Sequence, residues 1–281
     1  MIARALIAGA GGMLGQDVRS AAHAAGLETT ALVHRCLDIT DPDAVLEAVT
    51  TSRPQVVINC AAWTDVDGAE TDPRGALAVN ATGAGNLARA AHQSGAWTIH
   101  VSSDYVFDGT KREPYLESDA TQPINAYGRS KLEGERAVAL HAPDTSTIVR
   151  SSWLFGAGGA CFPQTILRLA GERDEISVVD DQVGCPTFAG HLASALIELC
   201  HEPPPGVLHV AGSGHCSWFE FAVHIVASAR LDCEVLPVPT TDMPRPAARP
   251  AYSVLRSERS APELPEWRDG LAQYLAAQVA Y

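Results

Sequence analysis

Tyr127-Gly128-Arg129-Ser130-Lys131 sets a phenol and an ammonium four residues apart, so on a helix both side chains share one face. A nearby ammonium favours tyrosinate and lowers the phenol pKa from about 10 toward working pH. Such a Tyr can protonate an alkoxide as hydride reaches a carbonyl carbon. With six Tyr and only two Lys (111 and 131) in 281 residues, about 0.04 such pairs are expected by chance. Upstream, the apolar run from Trp97 ends in Ser102-Ser103-Asp104. At the carboxyl end of a parallel strand, the Ser103 hydroxyl can donate to a substrate oxygen and polarise its carbonyl. Asp104 can orient a neighbouring substrate hydroxyl. Taken alone, Ser-Ser after a strand is a capping turn and Tyr127/Lys131 a solvated helix pair. The combination is what points to carbonyl reduction.

A reduction needs a hydride donor. Gly9-Ala10-Gly11-Gly12-Met13-Leu14-Gly15 has glycines at 9, 12 and 15. The commoner G-x-G-x-x-G spacing is not met, because Leu14 stands where its last glycine would be. The physics is unchanged: Gly9 permits the tight turn, Gly12 lets backbone approach a pyrophosphate, and Gly15 lets helix and strand pack closely. The following helix N-terminus offers N–H donors to the phosphates. An acid ending the second strand would hold a ribose 2′-hydroxyl, whereas an Arg accommodates a 2′-phosphate. Here the strand ends Leu32-Val33-His34-Arg35, and Asp38 comes slightly late. Arg35 favours NADPH, with NADH as the alternative donor if that Arg is merely a solvated surface residue.

These groups require a scaffold, and the hydrophobic pattern supplies one. Strands are predicted at 3–8, 29–33, 55–59, 97–102 and 145–149, alternating with helices at 12–25, from Asp41-Pro42, 73–94 and 125–141. That rhythm means an α/β fold: a doubly wound parallel sheet of the Rossmann type, with helices on both faces. Beyond residue 150, helical segments at 162–171, 189–201, 217–229 and 267–279 are separated by Pro/Gly-rich loops, and 207–210 reads as a further strand of the main sheet. The predicted organisation is a dinucleotide-binding domain over 1–150 with a return near 188–212, and a smaller C-terminal substrate-binding lobe from 151–187 and 213–281.

Composition narrows the class. With 46% hydrophobic and 19% charged residues the chain reads as globular. A net charge of −13 opposes binding to nucleic acid through a broad basic face. Seven scattered cysteines without C-x-x-C argue against a disulfide framework or zinc site and for a reducing, cytoplasmic setting. No stretch approaches the ~20 apolar residues of a membrane span, and the N-terminal run leads into glycines with no signal-type cleavage site.

The glycine turn, Ser103, Tyr127 and Lys131 together resemble the extended short-chain dehydrogenases/reductases. Asn59-Cys60-Ala61-Ala62-Trp63-Thr64-Asp65-Val66-Asp67-Gly68-Ala69-Glu70 narrows the resemblance to dTDP-4-dehydrorhamnose reductases. So do Ser103–Gly109, Arg150–Phe155, Asp180–Thr187 and Arg249–Ser253, in family order along the whole chain. The resemblance implies reduction of the 4-keto group of a dTDP-6-deoxyhexulose to dTDP-L-rhamnose. It places Gly12, Met13 and Leu14 at the cofactor pyrophosphate, Asp38 and Ile39 at its adenine, and Ala62, Trp63 and Thr64 along its length. Ser103 and Asp104 would contact the sugar, Tyr127 would donate the proton, Lys131 would bind the nicotinamide ribose, and Trp153 would pack on the substrate. Ser at 103, where many members have Thr, keeps the hydroxyl; Gly68 replaces a common Lys. Some relatives bind Mg2+ at a subunit contact. No metal-ligating cluster is evident in this sequence, so Mg2+ and a homodimer both stay open.

An anionic dTDP-sugar meeting an acidic protein requires local cations. Arg245, Arg249, Arg256 and Arg259 lie in a Pro-rich stretch, and Arg forks suit phosphate, so this segment is expected to supply the diphosphate contacts, Arg249 foremost. Two other readings compete. One is a related enzyme on the same fold: an epimerase, a dehydratase, or a reductase making another deoxysugar such as dihydrostreptose. Dehydratases of this superfamily place Asp-Glu after the strand-end Thr, whereas this chain has Asp104-Tyr105. The other is a non-catalytic NADP-binding regulatory subunit, which the intact Ser103/Tyr127/Lys131 set argues against.

Overall fold

The computed structural model describes residues 3–279. Its first half runs β1 (Arg4–Ala8), α1 (Met13–Ala24), β2 (Glu28–Leu32), α2 (Pro42–Ser52), β3 (Val56–Asn59), α3 (Gly68–Thr71), α4 (Pro73–Leu77), α5 (Ala84–Gln93), β4 (Trp97–Ser103), α6 (Ala126–His141) and β5 (Ser146–Ser151). The second half adds β6 (Leu154–Phe155), α7 (Phe162–Glu172), β7 (Glu175–Val179), β8 (Val183–Gly184), β9 (Thr187–Phe188), α8 (Ala189–Leu199), β10 (Gly206–His209), β11 (Cys216–Ser217), α9 (Trp218–Ala229), β12 (Glu234–Val238) and α10 (Trp267–Val279).

Six strands make one parallel sheet in the order β10-β5-β4-β3-β1-β2. Alternate residues of the central strands feed two cores, as the strand period requires. Ile7 and Ile58 pack with Leu14 and Val18 of α1 and Leu192 and Leu196 of α8. Leu6 and Val57 pack on the other face with Val45 and Val49 of α2 and Leu87 of α5. Each such side chain taken out of water contributes about 1.5–3 kcal/mol. The strand order reverses beside β1, which opens a crevice above the carboxyl ends of β1 and β3, where ligands bind in open α/β sheets. The C-terminal strand expected near 207–210 is β10, paired with β5.

A second core joins α7, α9 and α10 through Ile166, Phe221, Ile225, Trp267 and Tyr274. Local signals set its helices: Ser217 caps α9 in a capping box with Glu220. The parallel pair β7–β12 was not expected, because its strands are short and lie far apart in sequence (Glu175↔Glu234). The single helix expected over 73–94 is also interrupted. A wide π turn, Ala78–Gly83, separates α4 from α5. It aims Asn80 at the loop after β3.

Candidate active site

Asn125 starts α6: its Oδ1 accepts from Gly128 N at 2.7 Å, and its Nδ2 donates to Ala248 O at 2.8 Å. One residue therefore caps the helix and holds the Arg249 segment against it. The helix then presents Tyr127 and Lys131 to the carboxyl end of β4. Tyr127 lies beside the Ser103 hydroxyl, its ring edge-on to Tyr105 at 5.6 Å. Lys131 is buried and its Nζ donates to Val101 O at 2.8 Å.

The electrostatics differ from the sequence expectation. Burial pushes the Tyr127 hydroxyl up to about 12, with the Ser103 hydroxyl pulling the other way. The Lys131 ammonium is turned to the β4 backbone, donating to Val101 O, and its charge does not outweigh that burial. Burial in turn pushes Lys131 down to about 8, opposed chiefly by the charge of Glu135. Asp104 accepts from Ser103 Oγ at 3.0 Å, while its Oδ2 is buried without a partner. Desolvation raises its carboxyl to about 6, against the pull of the Ser253 and Ser103 hydroxyls.

Two cavities lie near this row, whose own residues line neither. The first, about 640 Å³, lies above β1 and β3 and is lined by Gly9, Gly11, Gly12, Val33, His34, Arg35, Leu37, Asp38, Ile39, Cys60, Ala61, Ala62 and Val79. It reaches the Lys131 charge through Cys60. Its floor is the glycine turn, and at Gly9 it admits only glycine. Gly9 has φ +75°, and a Cβ there would stand 2.5 Å from Ala61 N; behind the floor, a Cβ at Gly15 would stand 2.1 Å from Gly9 O, so helix and strand pack closely only with glycine there. The N-cap of α1, Gly12, offers no side-chain cap, so the first-turn N–H groups are left for a ligand. This donor set fits the pyrophosphate of a dinucleotide, and His34 and Arg35 at the rim fit an added phosphate.

Of the predicted cofactor residues, Gly9, Gly12, Arg35, Asp38, Ile39 and Ala62 line this cavity. Met13, Leu14, Gly15, Trp63, Thr64, Tyr127 and Lys131 do not. Leu14 is buried in the core and Met13 packs beside it, because a helix that starts at the phosphate turn must also cover the sheet. The Trp63 ring packs against Ala69, Ala76 and Ala126. Its backbone is held by Asn80, which accepts from Trp63 N at 2.8 Å and donates to Ser130 Oγ at 2.8 Å. Asp38 accepts from Thr40 N and Oγ1, which holds its carboxyl below the usual range.

The second cavity, about 350 Å³, is lined by Tyr105, Phe162, Thr165, Ile166, Leu169, Ser177, Val178, Val179, Gln182, Trp218, Met243, Arg245 and Arg249. Tyr105 joins it to Tyr127. The expected arginine cluster is divided. Arg245 and Arg249 face this cavity, whereas Arg256 and Arg259 line a separate one, where Arg259 donates to Val207 O and Pro205 O. Arg249 is also paired, bidentate, with Asp67, at 2.5 and 2.9 Å. Trp153 takes a left-handed backbone (φ 47°), and its indole lies flat on Trp218 at 3.5 Å. Trp218 is the one of this pair that lines the cavity. Sequence reasoning gave no site role to Tyr105, Asn80, Asp67 or Trp218. Asp67 lay inside a quoted motif, but only the fold brings it to Arg249, 182 residues on.

A parallel sheet with a glycine cradle at its switch point, and a Ser/Tyr/Lys row beside it, defines the extended short-chain dehydrogenase/reductase class. Within it, the family model described as the RmlD substrate binding domain matches residues 3–279. The chain belongs to this family, the dTDP-4-dehydrorhamnose reductases. It is 45% identical to the dTDP-4-dehydrorhamnose reductase of Mycolicibacterium smegmatis, over 99% of this chain and 87% of that one. It is 40% identical to the spore coat polysaccharide biosynthesis protein SpsK of Bacillus subtilis, over 97% and 96%. Among solved structures, the dTDP-4-dehydrorhamnose reductase of Bacillus anthracis in complex with NADP superposes with a TM-score of 0.95 at 39% identity, covering 99% and 100%. Among the described residues no helix is long and apolar enough to cross a membrane, and no group of three or more His, Cys, Asp or Glu is arranged to hold a metal ion.

Proposed function

We propose that this chain reduces the 4-keto group of dTDP-4-dehydro-6-deoxy-L-mannose (dTDP-4-dehydrorhamnose), giving dTDP-L-rhamnose, with NADPH as donor. The observation that carries this reading is the convergence of Ser103, Tyr127 and Lys131 at the carboxyl end of β4, with Cys60 of the cofactor-type cavity near Lys131 and Tyr105 of the arginine-bearing cavity against Tyr127. The relatives named above support the choice of sugar, and the NADP complex of the B. anthracis relative supports the choice of nicotinamide.

When bound, NADPH supplies the hydride. The chain's own residues handle the oxygen. Ser103 turns its single hydroxyl proton from Asp104 to the carbonyl and polarises it. Tyr127, protonated at neutral pH because burial holds its hydroxyl up near 12, delivers its proton to the oxygen as the carbon is reduced. Lys131 stabilises the tyrosinate left behind. Asp104 accepts a sugar hydroxyl on its unpartnered Oδ2. Arg245 and Arg249 meet the diphosphate, and Trp218, backed by Trp153, offers a flat aromatic face to the base. Residues 1–150 with 188–212 form the cofactor half, and 151–187 with 213–281 the substrate half. The seven free cysteines fit a reducing cytoplasm.

The test is consumption of NADPH, followed by its ultraviolet absorbance, with enzymatically made dTDP-4-dehydrorhamnose, repeated with NADH and with the epimeric 4-keto sugar. Rapid oxidation of NADPH yielding dTDP-L-rhamnose is expected. No oxidation, in a preparation that binds NADPH, would overturn the assignment.

A further inference from the structure

Helix α6 meets β4 at three successive turns of one face. Tyr127 faces Ser103, Lys131 Nζ donates to Val101 O, and Glu135 Oε1 accepts from Ser102 Oγ at 2.5 Å. The first two contacts belong to the reaction above; the third has no part in it. Glu135 is 5% exposed and held from β5 by Arg150, whose Nε donates to Oε1 at 2.8 Å and Nη2 to Oε2 at 2.7 Å. Behind it, Arg150 Nη1 lies 3.4 Å from His209 Nε2, and the guanidinium sits over the Phe107 ring. Desolvating such a pair costs several kcal/mol per ion, and well-packed apolar residues in its place are often as stable or more so. Stability is therefore a poor account of why charge is buried here.

We propose that Glu135 is a positioning residue: clamped by Ser102 and Arg150, its carboxylate keeps the Lys131 side chain charged and seated on β4 beside Tyr127. This rests on the reading of Lys131 as the support of Tyr127. The titratable groups that face Lys131 from neighbouring elements are Cys60 after β3, His100 of β4 and Glu135 on its own helix. Burial holds Cys60 protonated, up to about 12, and keeps His100 neutral, with the Lys131 charge acting in the same direction on His100. Among the described residues that leaves Glu135 as the anion opposing the desolvation of Lys131. Without it, Lys131 loses its proton at lower pH, and the tyrosinate loses its countercharge.

The chain has two lysines, so labelling lysine with ¹³C at Cε gives one signal for Lys131 and one for Lys111, an internal reference paired with Asp119 at the surface. In Glu135→Gln the Lys131 titration should move down by about one pH unit or more while Lys111 stays in place. The alkaline limb of kcat/KM should move with it, and Glu135→Asp should recover part of the shift. Because Glu135→Gln strands the Arg150 charge, the charge-balanced pair Glu135→Gln/Arg150→Met is titrated alongside. A wild-type Lys131 titration in the folded variants would overturn the proposal and make Glu135 a structural clamp. The titration does not depend on turnover, so that failure is distinct from an inactive wild-type chain, which would overturn the functional reading instead.

Discussion

The two cavities beside Tyr127 are built from different materials. The one above β1 and β3 has a main-chain floor, a glycine turn and a helix end without a side-chain cap, with His34, Arg35 and Asp38 at its rim. The one beneath Tyr105 is side chain: Phe162, Trp218, and arginines partly neutralised by Asp67. Backbone donors recognise what all dinucleotides share. Aromatic faces and paired guanidiniums discriminate, because a misplaced group leaves a buried charge or an empty face. Cofactor binding should therefore survive most side-chain changes near the site, and sugar selection should not.

Substitutions can break or sharpen this contrast. The largest effect falls on the row near both cavities: Tyr127→Phe should lower kcat by about 10²–10⁴-fold while the NADPH Kd, read by fluorescence titration, barely changes. Next is the side-chain cavity. Arg249→Ala removes a charge-assisted fork and frees Asp67, so the KM for the dTDP-sugar should rise about 10–100-fold with the KM for NADPH constant. An equal rise in both would erase the distinction between the cavities.

A pH profile sharpens it further. The Asp104 carboxyl is raised to about 6, so its anion forms only as pH climbs through that value. If the anion accepts a sugar hydroxyl, kcat/KM should rise through about pH 6. Asp104→Asn should lower kcat/KM about tenfold and abolish that limb. The smallest effect belongs to the main-chain cavity: Arg35→Ala, an exposed rim residue, should reduce the preference for NADPH over NADH by about fivefold.

The same contrast explains what could be read in advance. The parallel sheet was legible because its signals are local: alternating apolar strands, the glycines at 9, 12 and 15, and Asp41-Pro42 as a helix start. The Tyr127/Lys131 pair was legible because it needs only four residues of one helix. Contacts between distant segments were not. Asp67 meets Arg249, Asn80 reaches the Trp63 backbone from a π turn, and Trp153 stacks on Trp218, all through tertiary approach that no window of sequence records. The direction of the Tyr127 shift failed for the same reason. Spacing put Lys131 on the right face but could not show that its ammonium is satisfied by Val101 O.

The most direct test follows the hydrogen itself. NADPH deuterated on the reactive face of the nicotinamide is turned over with dTDP-4-dehydrorhamnose, and the product is analysed by NMR. Deuterium at C4 of the sugar in dTDP-L-rhamnose, with matching loss of signal in Tyr127→Phe, is the predicted result. Deuterium retained on the cofactor, or product formed without net NADPH consumption, would contradict a reductase and point to an epimerase on the same fold.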